Sequence, residues 1–377
     1  MKLPFMLDRS SINLLRMCVV SIKLASLRSK RYVRPVLVEN IKTNADSDNP
    51  MTKLRTRLFT AGISKSFLEN SVLPSWWEES LAMEPGGFRE IVGHISSYLG
   101  FSMSSLMNPE RKLECPVSGN VKYKKKKNVD PQEITVATNI GISVARSIAR
   151  SFPDEEAPEQ VPAACELRER LLTGNKKEWL ELNDILAASW DMGIPVVFVS
   201  NLPSATKPDA LTTFIGDRPV IVVMEAQKSP SRISFTIAHE LGHIHFKHLE
   251  SGQTLVDESI DRSSVENEEQ QANNYAKALL TGKETTNFQT GTPIKAAVLK
   301  NMALGSAKIH KINPGVVLWN YAFNTGFWGP SVNAIKAIEG SRDAAKEITK
   351  VLKSRIDEGN ISSDDLEKID SAISSRA

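Results

Sequence analysis

Two histidines four residues apart with a glutamate between them, His239-Glu240-Leu241-Gly242-His243, are the residues of this chain best suited to chemistry. On a helix that spacing stacks His239 and His243 on one face, so both imidazoles can reach one cation. Glu240 falls about 100° further round the helix. It can lie beside a water on that cation without becoming a ligand. Zinc held this way lowers the pKa of its water to roughly 7, and a neighbouring carboxylate can take the proton and later pass it to the leaving amine of a cleaved peptide bond. The pattern points to a mononuclear zinc site that hydrolyses peptide bonds, with His239 and His243 as metal ligands and Glu240 as the catalytic base. The competing reading is a buried helix carrying two hydrogen-bonded histidines.

His245 and His248 follow closely, but at 100° per residue they fall about 120° and 180° away from His239. They read as surface or second-layer residues. A metzincin would need Gly at 246 and His at 249, where this chain has Phe246 and Leu249, so that subclass is excluded. A catalytic zinc takes a third protein ligand and keeps one position open. The helical pattern over residues 266–280 puts Ala272, Tyr275, Ala276 and Leu279 on one face, where the two alanines allow close packing on the first helix. Glu268 and Glu269 both lie within about 60° of that face, and periodicity does not choose between them. Tyr275, Tyr321, His310 and Arg232 are of a type to stabilise an oxyanion, and nothing in the spacing selects one.

The elements that must position these residues follow from local pattern. Ser229 as N-cap and Pro230 at the first helical position announce the helix that carries the motif, and Ile237, Leu241 and Ile244 give it an apolar stripe. Gly242 leaves room for a neighbouring backbone. Short β-branched runs at 194–200 and 219–224 predict strands of a small sheet, with 211–216 as a further strand. Helices are predicted over 130–149 (Asp130 as N-cap), 164–172 and 177–190 before the sheet, and over 296–307, 332–338 and 344–356 after it, with a last short helix capped at Ser362. Helices, a short sheet and further helices amount to an α+β fold. The parts are a tail or upstream extension (1–50), a small helical domain (51–110), a basic linker (111–129), a zincin-like core (130–290) and a C-terminal helical region (291–377). Residues 98–106 are similar to the last helix and turn of phage-repressor helix-turn-helix domains, and Trp76-Trp77 read as core or interface area.

The segment Arg232-x-x-Phe235-Thr236-Ile237-Ala238-His239-Glu240-Leu241-Gly242-His243 resembles the active-site helix of the ImmA/IrrE family of metallopeptidases. Glu269-x-x-Ala272-Asn273-x-Tyr275-Ala276-x-x-Leu279-Leu280 is similar to that family's second motif, whose first Glu supplies the third ligand, and the resemblance therefore implies Glu269. It is specific over about residues 190–285. Thr281-Gly282 stands where the family usually has Met-Pro, which concerns how the helix ends. The resemblance also implies one Zn2+ per chain, an intracellular regulatory role, and a helix-turn-helix repressor as the protein substrate whose cleavage relieves repression. The rival reading is a transcription regulator or antitoxin-like binding protein that uses the zincin-like domain as a non-catalytic sensor. Retention of Glu240 beside both histidines favours catalysis.

Composition sets the outer bounds. With 41% hydrophobic and 24% charged residues, the chain can bury a core. The most apolar candidate for a membrane span, residues 12–27, is interrupted by Arg16 and Lys23. Cys18, Cys115 and Cys165 are odd in number and far apart, which fits free thiols in a reducing compartment and a cytoplasmic location. Residues 1–130 hold 21 Lys and Arg against 12 Asp and Glu, a balance of +9, while the rest holds 26 against 32, a balance of −6. A basic N-terminal half can contact DNA or an acidic protein, or simply be solvated. Sustained patterning begins at Met51, and on one of the two readings of residues 1–50 they are an upstream extension and the native polypeptide starts there. On that reading an intact mass lacking residues 1–50, measured on protein from its native host, is the expected result, and a mass that includes Met1 contradicts it.

Overall fold

Every residue of the run Arg218-Pro219-Val220-Ile221-Val222-Val223 is buried, because helices cover both faces of the strand it forms. A strand shielded on both sides has no need to alternate polar with apolar residues. The computed structural model describes residues 49–113, 121–123, 131–152, 160–175, 178–203, 207–249, 251–256 and 264–374. Residues 1–48, much of the basic linker, Asp130, Cys18 and Cys115 lie outside the described residues; Cys165 is exposed.

The described residues divide into two units, 286–341 forming one and 49–285 with 342–374 the other. In chain order the larger unit has helices α1 (Pro50–Thr60), α2 (Pro85–Leu99) and α3 (Met103–Met107), strand β1 (Val121–Tyr123), and helices α4 (Pro131–Ala149), α5 (Ala164–Asn175) and α6 (Leu182–Asp191). Strands β2 (Val196–Phe198), β3 (Ala210–Ile215) and β4 (Arg218–Val223) precede helix α7 (Pro230–His245), strand β5 (Thr254–Val256) and helix α8 (Ser264–Thr281). The smaller unit holds α9 (Ala296–His310), α10 (Pro314–Thr325) and α11 (Trp328–Glu339). The chain then returns to the larger unit as α12 (Ala344–Arg355) and α13 (Ser363–Ile373).

The strands pair in the order β1-β5-β3-β4-β2, parallel at both outer pairings and antiparallel within. β3 and β4 form a hairpin whose register runs from Ala210↔Val223 to Ile215↔Arg218. Gly216 takes the positive φ of 62° that a two-residue hairpin turn asks of its first position. Neighbouring residues of β3 face opposite sides of the sheet. Leu211 meets α4, where Gly141 would place a Cβ only 3.0 Å from the Leu211 Cδ2, and Thr212 meets α7 through Glu240. The fold is α+β, with helices before, across and after a small mixed sheet. None of the described helices is long and apolar enough to cross a membrane.

One apolar cluster joins the N-terminal helices, α4, the sheet and the C-terminal helices, from Met51 and Leu54 through Ile140 and Val222 to Leu352 and Ile373. Several elements differ from the sequence expectation. The helix expected from 177 begins at Leu182, because Glu181 and Asp184 close a reciprocal cap there, with the Glu181 N–H donating to the Asp184 carboxylate at 2.8 Å. Val121–Tyr123, counted with the basic linker by charge, pairs with β5, itself too short to stand out by alternation. Helix α10 was signalled only by Asn313, whose side chain accepts from the Gly315 N–H at 2.9 Å, and by Pro314 at its first position.

Asp365 on α13 is the polar tie to α4. It accepts from the Ser147 hydroxyl at 2.5 Å and from Arg150 at 2.8 Å, with the Lys368 ammonium at 3.5 Å. Burial works to raise its pKa, but the bonds from Ser147 and Arg150 and the two nearby cations outweigh it and hold the group at about 2. A carboxyl depressed below its ordinary value stabilises the fold above about pH 4 and loses that contribution as pH falls through its folded pKa. Asp365→Asn is therefore expected to cost on the order of 1–2 kcal/mol at pH 7. In urea titrations the gap between parent and variant should stay constant from pH 7 to 5 and narrow below pH 4. A gap independent of pH would contradict the assignment.

Candidate metal centre

The site begins with a well-specified helix. Ser229 caps α7, its hydroxyl accepting from the Arg232 N–H at 3.4 Å, and Pro230 occupies the first helical position. Nearly all of the helix from Pro230 to His243 is buried. His239 and His243 therefore lie one turn apart inside the protein, with ring centroids 4.7 Å apart and their Nε2 atoms 3.0 Å apart.

Helix α8 packs against this face at unusually short range. A Cβ on Gly242 would come within 2.9 Å of the Ala272 Cα and 3.0 Å of the Tyr275 Cβ. That contact sets the register in which Glu269, one turn before Ala272, meets the histidines. Its Oε1 lies 3.0 Å from the His243 Nε2 and its Oε2 3.5 Å from the His239 Nε2, while the side chain keeps 24% of its surface exposed. Among the described residues, these three make the one cluster of His, Cys, Asp or Glu with ligand-like spacing, and Glu268 does not join it. At its far end α8 stops where Gly282 adopts φ 82°, and the buried Arg168 donates to the Leu279 and Leu280 carbonyls at 2.9 and 2.8 Å. Thr281-Gly282 thus ends the helix with a left-handed residue and a guanidinium on its last carbonyls.

Glu240 is fully buried on the sheet side of α7. The Thr212 hydroxyl of β3 donates to its Oε2 at 2.5 Å, which fixes the carboxylate between helix and strand. Behind the imidazoles, the His239 Nδ1 lies 3.2 Å from the Asn273 Oδ1, and the His243 Nδ1 lies 2.8 Å from the His248 Nδ1. His248 lies off the helical wheel, because α7 ends at His245. Lys247 turns the chain with φ 55°, and the His248 N–H bonds the His243 carbonyl at 3.0 Å, which folds the ring back behind the motif. A second-layer histidine is the outcome, reached through a turn. His245 points elsewhere, its Nδ1 donating to the Val161 carbonyl at 2.8 Å.

The oxyanion candidates are all engaged. The Arg232 Nε donates to Glu225 at 2.8 Å, and the Thr236 hydroxyl donates to the other oxygen of that carboxylate at 2.8 Å. Burial raises the Glu225 pKa despite the adjacent guanidinium. The Tyr275 hydroxyl donates to the Pro162 carbonyl at 2.9 Å, and burial raises its pKa as well. Tyr321 and His310 belong to the smaller unit, the former bonded to Thr290 at 2.7 Å and the latter packed against Phe288.

The donor set suits a cation. Two ligands at zinc bond lengths of roughly 2.0–2.1 Å in a tetrahedron stand about 3.3 Å apart. The two Nε2 atoms stand 3.0 Å apart, and each lies near that edge length from its own oxygen of Glu269, His243 3.0 Å from Oε1 and His239 3.5 Å from Oε2.

Residues 191–287 match the family model described as the IrrE N-terminal-like domain, a peptidase family. The match spans β2 to α8 and so includes the two helices that carry the cluster. The match supports a metallopeptidase-type family for this segment, one to which the ImmA/IrrE proteins belong, and that family implies a bound metal. No curated protein and no solved structure matches the chain.

If the Gly242–Ala272 contact sets the cluster, Gly242→Val should push α8 away and widen the separation of Glu269 from the histidines. The variant is expected to lose roughly 1–3 kcal/mol of stability and to bind less than the parental stoichiometry of zinc in dialysis followed by metal analysis. Parental zinc content in a folded variant would show that the close approach is not what positions Glu269.

Proposed function

We propose that this protein is a zinc-dependent endopeptidase in which His239, His243 and Glu269 hold the metal and Glu240 moves the proton. The observation that carries this reading is the convergence of two imidazole Nε2 atoms and one carboxylate within 3.5 Å, beside a buried glutamate fixed by Thr212. A zinc ion bound there would supply Lewis acidity, acidifying a water and polarising the scissile carbonyl.

Every other part of the chemistry belongs to side chains. Glu240, adjacent in sequence to His239 yet turned toward the sheet, accepts the water's proton and returns it to the departing amine. Thr212, donating to one oxygen, keeps the carboxylate in one rotamer. Burial of Glu240 strengthens its electrostatic role, because charges separated by protein are screened far less than charges in water. Glu269, as the most exposed of the three ligands, marks the side from which a peptide would enter. The His/His/Glu donor set also accepts other divalent ions, so metal availability decides occupancy as much as affinity does.

The proposed substrate is a helix-turn-helix repressor in the cytoplasm, with cleavage acting as a switch that relieves repression. This rests on the resemblance of the two motifs to ImmA/IrrE metallopeptidases. The excess of basic residues before residue 130 supports contact with DNA or with an acidic partner.

The test uses the full chain loaded with zinc and a repressor encoded beside its gene. The parent is expected to cut the repressor at a defined bond. Glu240→Gln should retain the metal and lose cleavage by at least about 10²-fold, the usual scale for removing a positioned general base. Equal cleavage by parent and variant would overturn the catalytic reading, and full repressor release without cleavage would favour a sensor.

A further inference from the structure

On the side of His243 away from Glu269, a chain of two further side chains continues the hydrogen bonding, and metal binding through Nε2 would set its polarity. The His243 Nε2 faces His239 and Glu269. Its Nδ1 lies 2.8 Å from the His248 Nδ1, and the His248 Nε2 lies 2.9 Å from the Gln271 Oε1. A ligating imidazole nitrogen must be the unprotonated one, and a neutral imidazole carries one proton. His243 can therefore present Nε2 to a metal only with its proton on Nδ1. That proton needs an acceptor, and the His248 Nδ1 is in place to be it. His248 must then carry its own proton on Nε2, which lies 2.9 Å from the Gln271 side-chain amide and can donate to its oxygen.

We infer that His248 and Gln271 are positioning residues that hold His243 in the Nδ1-protonated tautomer and fix its ring plane for metal binding. The inference rests on the reading of His239, His243 and Glu269 as metal ligands. Two features tie it to the fold. His248 is 8% exposed, so water competes little for its bonds, and its position depends on the left-handed turn at Lys247. Gln271 lies two residues after Glu269 on α8, so the helix that contributes the proposed third ligand also anchors the chain behind His243. Outer partners of this kind raise the basicity of a ligating histidine and restrict its rotation, and their loss typically costs about 10–100-fold in metal affinity.

The test measures zinc affinity of the full chain by competition with a chromogenic chelator, together with the thermal stability of the metal-free protein. His248→Ala is expected to weaken zinc binding by about tenfold or more. Gln271→Ala should weaken it less, and should have no further effect in the His248→Ala background, since Gln271 acts only through His248. Gln271→Glu, which offers a stronger acceptor, should bind zinc at least as tightly as the parent. Gln271 is partly exposed, so its variants keep the inference testable if His248→Ala does not fold. Long-range ¹⁵N NMR of the zinc-loaded parent should show His248 protonated on Nε2. Parental zinc affinity in folded His248→Ala, additive losses from the two alanine substitutions, or His248 protonated on Nδ1 would each overturn the inference while leaving the three-ligand reading intact. Absence of zinc binding by the parent would remove that reading and this inference with it.

Discussion

The close approach of α7 and α8 at Gly242 and Ala272 is the constraint on which the rest of the site depends. Helices packed through ordinary side chains keep their axes about 8–10 Å apart. Here, a glycine on one helix faces an alanine on the other, and a single added Cβ would sit 2.9 Å from the facing Cα. At this range Glu269 on α8 reaches the imidazoles rooted on α7. The same register places Asn273 against the His239 Nδ1 and Gln271 against the ring of His248. One packing contact therefore orders three successive partners of the histidine pair.

The sheet supplies the other half of the geometry. β3 is buried between α4 and α7, and its alternation sends Leu211 to the core side and Thr212 to the Glu240 carboxylate. A carboxylate buried this deeply must be hydrogen-bonded to be tolerated, and the strand provides that bond from a residue 28 positions earlier in the chain. α4 backs the sheet on its far face. The Asp365 network then fastens α13 to α4, within the unit that carries the His239, His243 and Glu269 cluster. Local helix formation alone would leave Glu240 free to rotate; the sheet holds it.

How much of this could be read from sequence depended on whether an interaction was local. His239, Glu240 and His243 were legible because a 3.6-residue period places them without any tertiary information, and Ser229-Pro230 marks where that period starts. Gly242 and Ala272 were legible as sites of close packing, although their direct apposition was not. Glu269 could not be separated from Glu268 by periodicity, since both lie near the packing face; the resemblance to a known motif made that choice, and in the structure Glu269 is the one within 3.5 Å of both histidines. His248 shows where the wheel fails: it assumes a helix, and one left-handed residue at Lys247 reverses the chain. Thr212 was out of reach altogether, because a hydroxyl within a β-branched run carries no mark of the carboxylate it will meet. The start of α6 was misplaced for a related reason, as the Glu181–Asp184 cap competes with an apolar pattern that would extend the helix.

Donors from α7 and α8 are proposed to converge on one divalent cation, with Glu269 completing the histidine pair. Zinc stoichiometry and affinity of the full chain, compared between Glu269→Ala and Glu268→Ala, test it most directly. One zinc per parent chain, parental binding in Glu268→Ala, and severe loss in Glu269→Ala with the fold retained are the expected results. Equal zinc binding by the two variants would contradict that convergence.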